Sequence, residues 1–414
     1  MRIVSVALLL SIAAGTASAQ TVTDDDATST QTGLVREPGI IRRSVTFANR
    51  WLGDNGTPPG DGFYADFGNM ITGSGWISAG PGYRRHFSHD RVFVDGSAAI
   101  SWRTYLMAQA RFELQDLAAR HLTIGSQVRW QDLTQVNYFG TGPNSLKEDR
   151  SAYRLKNTDV VGYGTYQVNH WLAIDGAFGR LQRATISSPT GPFQSGYPSS
   201  LELFAFAPGV GLDTQPNFLH GDAAITADTR DYPRHPTRGG LYRASVTQYS
   251  DRDAGMFSFR RYQAEGLQFV PVRGDTWILA LHGWGVFSDT SAGNEVPFYM
   301  LPSLGGHDTL RGYRDYRFHD RNMLLASAES RWALLSDLDV AAFFDAGNVS
   351  PTVGSLNLKK TDWGAGLRLH AHDSTLGRLD VGHSVEGWYA FFRLEDPFRL
   401  SRLTWRTADV PFVP

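Results

Sequence analysis

Apolar and polar side chains alternate along much of the chain between residues 62 and 398. In the stretch 91–103, even positions carry apolar residues such as Val92 and Ile100, whereas odd positions carry polar residues such as Asp95. The same alternation is found in the stretches 109–115, 121–131 and 362–370. Because successive side chains of a β-strand point to opposite faces of the sheet, each stretch predicts a strand with one apolar face and one charged face.

The number and length of these stretches predict the fold class. Residues 62–398 are 337 residues, and at roughly 21 residues for each strand with its connection they hold about 16 strands, an even number as in bacterial outer-membrane barrels. The longer connections are expected near 134–150, 183–204, 288–320 and 350–360. We therefore predict an all-β chain that forms a transmembrane antiparallel β-barrel. A large soluble all-β protein is the alternative, because it explains any single strand equally well.

The amino terminus has the pattern of a secretory signal peptide over residues 1–19. Arg2 precedes an apolar run over 3–14, and small residues occupy positions 17–19. We expect cleavage before Gln20 and export, with the bacterial outer membrane as the destination. A membrane-anchoring helix is the alternative, but the run is shorter than the roughly 20 residues that a helix needs to cross a bilayer.

The composition removes several classes of protein. The chain has 24 Phe, 16 Tyr and 11 Trp among 414 residues, which is too much aromatic side chain for a disordered protein. It has no cysteine, which excludes a disulfide scaffold and a thiolate metal site. A net charge of -2 gives no indication of a nucleic-acid partner. The aromatic residues near predicted strand ends, such as Trp102 and Trp363, suit the interfacial girdle of a membrane barrel.

Two short motifs lie in and after the predicted connection 288–320. The first motif consists of Leu310, Arg311, Gly312 and Tyr313. The second has the form F-x-D-x-G and consists of Phe343, Asp345 and Gly347. With the stretches 138–145, 228–239 and 364–369, they make residues 62–398 resemble the bacterial surface antigen family, the barrel domain of BamA- and TamA-type outer-membrane assembly proteins.

The resemblance implies a long loop that folds inward into the barrel, with the L-R-G-Y motif at its tip. It also implies a role in inserting or translocating outer-membrane proteins or lipids. The implied partners are outer-membrane lipid, unfolded outer-membrane proteins and a separately encoded periplasmic protein. A gated or passive channel for small solutes and a surface-exposed structural antigen are the alternatives, since a charged interior also suits the passage of solutes.

Two segments outside the predicted barrel depart from the family pattern. Family members usually carry periplasmic POTRA domains before the barrel, and residues 20–61 are too few to hold one. We expect this segment to be a periplasmic linker or, given the helical spacing of apolar residues over 40–52, a plug inside the barrel. Family barrels commonly end at an aromatic residue such as Phe398, so residues 399–414 are predicted to be a C-terminal extension.

Strand parity places two acidic side chains on the inner face, near the first motif. Asp345 and Glu329 alternate with apolar residues that would face lipid. A guanidinium can bind a carboxylate through two parallel hydrogen bonds, so both acids are predicted partners of Arg311, and Gly312 is expected to allow a tight backbone turn beside it. We hypothesise that this pairing locks the loop inside the barrel. A solvated surface loop with an unremarkable arginine is the alternative.

The sequence gives no indication of catalysis. It contains no nucleophile elbow, P-loop or H-E-x-x-H motif. The acids of the stretch 228–239 lie among arginines and prolines and predict a turn. His370 and His372 share strand parity, but two histidines without a third ligand are weak evidence for a metal. We therefore expect neither an enzyme nor a cofactor or metal site.

Overall fold

The computed structural model describes most of the predicted barrel. It covers residues 61–68, 78–193, 196–205, 211–212, 214–232, 235–371, 374–393 and 407. The chain separates into two units, 1–31 and 32–414, and every described residue belongs to the second. The predicted signal peptide, almost all of the segment 20–61 and almost all of the predicted extension 399–414 lie outside the described residues, so those predictions stay predictions.

Within the described residues, sixteen strands pair in chain order, each antiparallel to the next, in one sheet. They are β1 (Gly62–Gly68), β2 (Ser78–Phe87), β3 (Val92–Ser101), β4 (Leu106–Asp116), β5 (Leu122–Tyr138), β6 (Ser151–Asn169), β7 (Leu172–Leu181), β9 (Phe218–Asp228), β10 (Gly239–Asp251), β11 (Phe259–Arg273), β12 (Trp277–Thr290), β15 (Asn322–Leu335), β16 (Leu338–Ser350), β17 (Lys360–Ala371), β18 (Ser374–Ser384) and β19 (Gly387–Arg393). The predicted all-β class and the number of about 16 strands are confirmed.

The remaining elements are short and lie in the connections. Strand β8 (Thr185–Ser187) pairs with β6, and β13 (Ser303–Leu304) pairs with β14 (Phe318–His319) as a separate ribbon. The helical segments of three or four residues are Ser200–Leu203, Phe298–Met300 and Val353–Ser355, and Leu117–Arg120 is a turn with positive φ at Ala118, Ala119 and Arg120. Nowhere in the described chain is a helix long and apolar enough to cross a membrane.

One strand runs further than its sequence pattern predicted. The connection expected at 134–150 begins only after Tyr138, where β5 ends. A register shift between Leu133 and Val136 interrupts the pairing of β5 with β6, and the side chains from Gln131 onward are buried on both faces. The bulge breaks the two-residue period, so the alternation that marks a strand disappears although the strand continues.

The two faces of the sheet differ in polarity, and the exposed face is the apolar one. In β16, Phe344 is 51% exposed, whereas the neighbouring Asp345 is fully buried. The same arrangement holds in β17 for the exposed Trp363 and the buried Asp362. An apolar face of this extent is stable against lipid and unfavourable against water, so the sheet has the faces of a transmembrane barrel.

Contacts between distant strands show that the polar faces share one interior. His235, in the connection between β9 and β10, lies 3.5 Å from Asp339 at the start of β16. Lys147, between β5 and β6, donates a 2.7 Å hydrogen bond to the backbone carbonyl of Glu386, between β18 and β19. These groups meet because the sheet curves around its charged face, which we call the lumen.

The connections differ in length at the two ends of the strands. Those at one end, the short-turn end, include 88–91, 170–171, 274–276 and 336–337. Those at the other end, the long-loop end, include 139–150, 182–217, 291–321 and 351–359. Bacterial barrels place short turns on the periplasmic side and long loops outside. We call 291–321 the inserted loop, because it carries the L-R-G-Y motif.

The exposed apolar face can be tested with one inserted charge. Ala365 is an exposed residue in the middle of β17, and Ala365→Arg should lower the free energy of unfolding in lipid vesicles by about 2–4 kcal/mol, since its guanidinium would enter hydrocarbon. The control Thr352→Arg, in the exposed connection 351–359, should change it by less than about 0.5 kcal/mol. Urea titration followed by tryptophan fluorescence measures both, and equally small effects would indicate that this face lies in water.

Candidate functional site

The tip of the inserted loop is buried inside the barrel. Leu310 and Tyr313 are almost fully buried, and so are Arg311 and Gly312 between them. Their apolar neighbours come from the loop itself and from β12, β15 and β16. This cluster consists of Trp284, Val286, Leu304, Leu310, Tyr313, Phe318, Met323, Leu325 and Val349. Burial of these side chains removes apolar surface from water and holds the inserted loop against strands β12, β15 and β16.

Backbone geometry just before the L-R-G-Y motif shapes the tip of the inserted loop. Gly305 and Gly306 both have positive φ, at 114° and 106°, a region that favours glycine. A Cβ on Gly306 would meet Asp315 Oδ1 at 2.2 Å. The amide of Gly306 donates to the carbonyl of Leu310 at 3.1 Å, and the amide of Tyr313 donates to the same carbonyl at 3.0 Å. The two glycines therefore permit the tight turn that presents Arg311 to the wall.

Arg311 makes a two-pronged contact with Asp345 on β16. Its Nε donates to Asp345 Oδ2 at 2.8 Å, and its Nη2 donates to Asp345 Oδ1 at 2.9 Å. Its Nη1 donates to Glu329 Oε2 on β15. The guanidinium also lies over the ring of Phe343, with Cζ 3.5 Å from the ring centroid. A planar guanidinium fits a carboxylate through two parallel hydrogen bonds and stacks on an aromatic face, which a lysine cannot reproduce.

Glu329 connects this contact to two further strands. Its carboxylate accepts a 2.8 Å hydrogen bond from Arg331 Nε and another of 2.8 Å from Arg368 Nη2. Arg368 Nη1 in turn lies 2.7 Å from Asp380 Oδ1 on β18. These side chains are almost completely buried, so each charge depends on its partners for the solvation that water would give.

A second group of charged side chains holds the inserted loop against β18. Arg378 on β18 donates through Nη2 to Asp308 in the loop at 2.5 Å, and through Nη1 to the carbonyl of His307 at 3.0 Å. The same Nη1 donates to Asp380 Oδ2 at 2.9 Å. The loop is thus held by β15, β16 and β18 together. We call these charged side chains the Arg311 network, which consists of Arg311, Asp345, Glu329, Arg331, Arg368, Asp380, Arg378 and Asp308.

The pKa of Arg311 reflects this setting. Burial by itself would lower the pKa of the guanidinium, because it disfavours the charged form. The charges of Asp345 and Glu329 outweigh burial and raise that pKa well above its usual value. Arg311 therefore stays charged, and the arrangement is suited to holding the loop rather than to exchanging protons.

Gly312 is the third residue of a hydrogen-bonded turn over 310–313, and it is also required for space. Its φ is not positive, but a Cβ there would lie 2.4 Å from Asp362 Cβ and 2.9 Å from the carbonyl carbon of His383. The carbonyl of Gly312 accepts a 2.6 Å hydrogen bond from Ser384 Oγ. The absence of a side chain lets the loop backbone touch β17 and β18 directly.

The structure brings both sequence motifs together. Phe343 and Asp345 contact Arg311, and a Cβ on Gly347 would lie 3.0 Å from Leu304 Cδ1 and 3.6 Å from Leu310 Cδ2. Tyr313 donates a 3.4 Å hydrogen bond to the carbonyl of Thr361. Sequence reasoning did not select the other charged members of the network, which are Arg331, Arg368, Arg378, Asp308 and Asp380. Inward strand parity was the available signal for Arg331, which shares the parity of Glu329, and for Arg368 in the stretch 362–370.

The close approach at Gly312 can be tested with a methyl group. Gly312→Ala should destabilise the barrel by about 1–3 kcal/mol, because the added Cβ overlaps backbone and Asp362 atoms that cannot move aside freely. Gly354→Ala is the matched control, since nothing lies within 4 Å of a Cβ at that loop position. Thermal unfolding of both variants in detergent gives the comparison, and equal stability would contradict the proposed contact.

One family model and two solved structures are similar to this chain. The Omp85 superfamily domain matches residues 182–382, which contain both motifs and the inserted loop. The sequence matches no curated protein. BamA from Haemophilus ducreyi, solved without POTRA domains 1–3, is 14% identical with a TM-score of 0.58, over 80% of this chain and 69% of that one. CdiB from Escherichia coli is 14% identical with a TM-score of 0.51, over 81% of this chain and 63% of that one.

At this identity the solved structures establish a shared fold. The chain spans less than two thirds of the CdiB structure that it matches. The family match confirms the resemblance to the bacterial surface antigen family over the segment that carries the Arg311 network. Residues 182–382 of this chain form an Omp85 superfamily domain.

Proposed function

We propose that this chain is an integral outer-membrane barrel that takes part in inserting or translocating outer-membrane proteins or lipids, and that it is not an enzyme. Its partners would be membrane lipid, unfolded barrel proteins and a separately encoded periplasmic protein. The resemblance to BamA- and TamA-type assembly proteins supports this class of activity. The proposal also assigns to Arg311 the task of locking the inserted loop in the lumen.

One observation is the main support for the proposal. The two segments that match the family motifs are joined at a buried guanidinium, which bonds Asp345 through two hydrogen bonds and Glu329 through a third. A loop needed only as a surface feature would have no reason to bury an arginine among carboxylates. Removing one partner of such a pair costs about 3–5 kcal/mol, so the inserted loop has a defined resting position.

A small-solute channel is the second candidate, because charges line the lumen away from the Arg311 network. Arg154 Nη2 lies 2.6 Å from Asp132 Oδ2, and Arg243 Nη1 lies 3.1 Å from Asp175 Oδ2. Mixed charges on an inner wall can pass small hydrophilic solutes. The inserted loop occupies part of this interior, so conductance would depend on whether the loop stays in place.

The locking role can be tested with two neighbouring carboxylates. Asp345 and Asp362 face each other across β16 and β17 and are equally buried, but the two-pronged contact of Arg311 is with Asp345. Asp345→Asn should lower the free energy of unfolding by about 3–5 kcal/mol and expose the segment 291–321 to protease. The buried guanidinium of Arg311 would then lose the negative charge of one of its two carboxylate partners. Asp362→Asn, the matched control, should leave the loop protected.

Limited proteolysis and urea unfolding in detergent measure these effects. Loss of loop protection in Asp362→Asn but not in Asp345→Asn would contradict the assignment of Asp345 as the partner that locks the loop.

The activity itself needs reconstitution of the full chain in liposomes. We expect the wild-type protein to accelerate the insertion of an unfolded outer-membrane barrel over protein-free liposomes, and we expect Asp345→Asn to reduce that acceleration more than Asp362→Asn does. Ion conductance is recorded on the same preparations. Conductance without acceleration would support the channel, and a correctly folded protein that shows neither would contradict both functions and favour a structural surface antigen.

A further inference from the structure

Two histidines and an aspartate converge at the short-turn end, far from the loop tip. His235 belongs to the connection between β9 and β10, Asp339 is the second residue of β16, and His370 lies near the end of β17. All three are buried, with exposed fractions of 5%, 3% and 7%. One donor atom from each lies within 4.8 Å of the other two. His235 lies in the family-like stretch 228–239, and none of the three residues belongs to the Arg311 network.

The separations of the donor atoms suit a metal ion. His370 Nε2 lies 3.1 Å from Asp339 Oδ1, and His235 Nε2 lies 3.5 Å from Asp339 Oδ2. Ligand atoms around a tetrahedral zinc, with bonds near 2.0–2.2 Å, are about 3.3 Å apart. Two imidazoles and one carboxylate are borderline ligands that divalent transition metals accept, and such a set leaves a fourth position for water.

Hydrogen bonds link several residues near His235 within the connection between β9 and β10. Asp231 accepts hydrogen bonds from the amide of Thr237 at 3.0 Å and from the amide of Tyr232 at 2.9 Å. Arg230 Nε donates to Asp228 Oδ1 at 2.9 Å. These bonds join described residues on both sides of His235, so part of the connection is already held in place when a ligand binds.

We propose that His235, Asp339 and His370 form a binding site for one divalent transition-metal ion of the zinc type. The imidazole rings of His235 and His370 are stacked, with centroids 3.9 Å apart and planes 13° apart. They must splay so that both Nε2 atoms point at the ion, while Asp339 contributes a carboxylate oxygen. The backbone amide of His370 donates to the carbonyl of Asp337 at 3.0 Å, which fixes the strand end that carries this ligand.

The consequence for the barrel is a metal-dependent fastening of its short-turn end. Strands β10, β11, β12 and β15 lie between the connection of His235 and the wall residues on β16 and β17. A bound ion would tie this connection across the lumen to a wall that is distant along the sheet. Binding to the folded state alone also raises its stability as the concentration of free metal rises.

The test is a titration of the full chain, prepared without an oligohistidine tag and stripped with EDTA. Zn²⁺ is titrated by calorimetry, and Co²⁺ is followed by its visible absorption as an independent report on coordination. We expect one ion per chain and a rise in unfolding temperature with added Zn²⁺. His235→Asn and His370→Asn should each lower the affinity by about 100-fold or more, because each removes a direct ligand.

The control is a buried histidine that belongs to no group of three metal-ligating side chains among the described residues. His282 Nε2 lies 2.8 Å from Glu265 Oε1 on the lumen wall, so His282→Asn should leave the affinity for Zn²⁺ unchanged. Heat-dependent mobility on gels confirms that each variant is folded. Absence of stoichiometric binding to the wild-type protein would overturn the proposal and leave a hydrogen-bonded cluster. Binding that survives in both His235→Asn and His370→Asn would overturn it as well.

Discussion

A guanidinium inside a barrel is stable only while carboxylates remain in contact with it, and the position of the inserted loop follows from that constraint. If Arg311 left its place, buried Asp345 would lose the guanidinium that binds both of its oxygens, and buried Glu329 would lose one of its three arginine partners. The rest of the loop conforms to this requirement. Gly312 lacks a side chain so that its backbone can approach the wall, and Phe343 offers a ring face beneath the guanidinium. Sterics, stacking and charge therefore select the same position for the loop.

The sequence was sufficient for the parts of the site that obey strand periodicity. Asp345 and Glu329 could be placed inward because alternation in their strands is regular, and Arg311 is the cation in the motif nearest to them. The sequence predicted a turn at Gly312 but not its close contact with β17 and β18, because that contact depends on how the sheet curves. The same limit explains why His235 was not grouped with His370. Their contact spans five intervening strands, and the short-range pattern around His235 indicates only a turn.

Strand β16 contributes to both clusters described above. Asp345 and Asp339 are six residues apart, so they share a face of the strand and lie roughly 20 Å from one another along it. One serves the loop that enters from the long-loop end, and the other meets the connection at the short-turn end. An even spacing on a single strand thus places acidic groups toward both mouths of the lumen.

The contacts of the interior also differ in how much of the chain must be present before they can form. Arg311 is 18 residues from Glu329 and 34 from Asp345, and Gly312 is 72 residues from Ser384. Lys147 and Glu386, by contrast, are 239 residues apart. Contacts over short separations cost less chain entropy and form earlier. The carboxyl-terminal strands can therefore capture the loop as a local unit, and the remaining strands then close around an interior that is already filled.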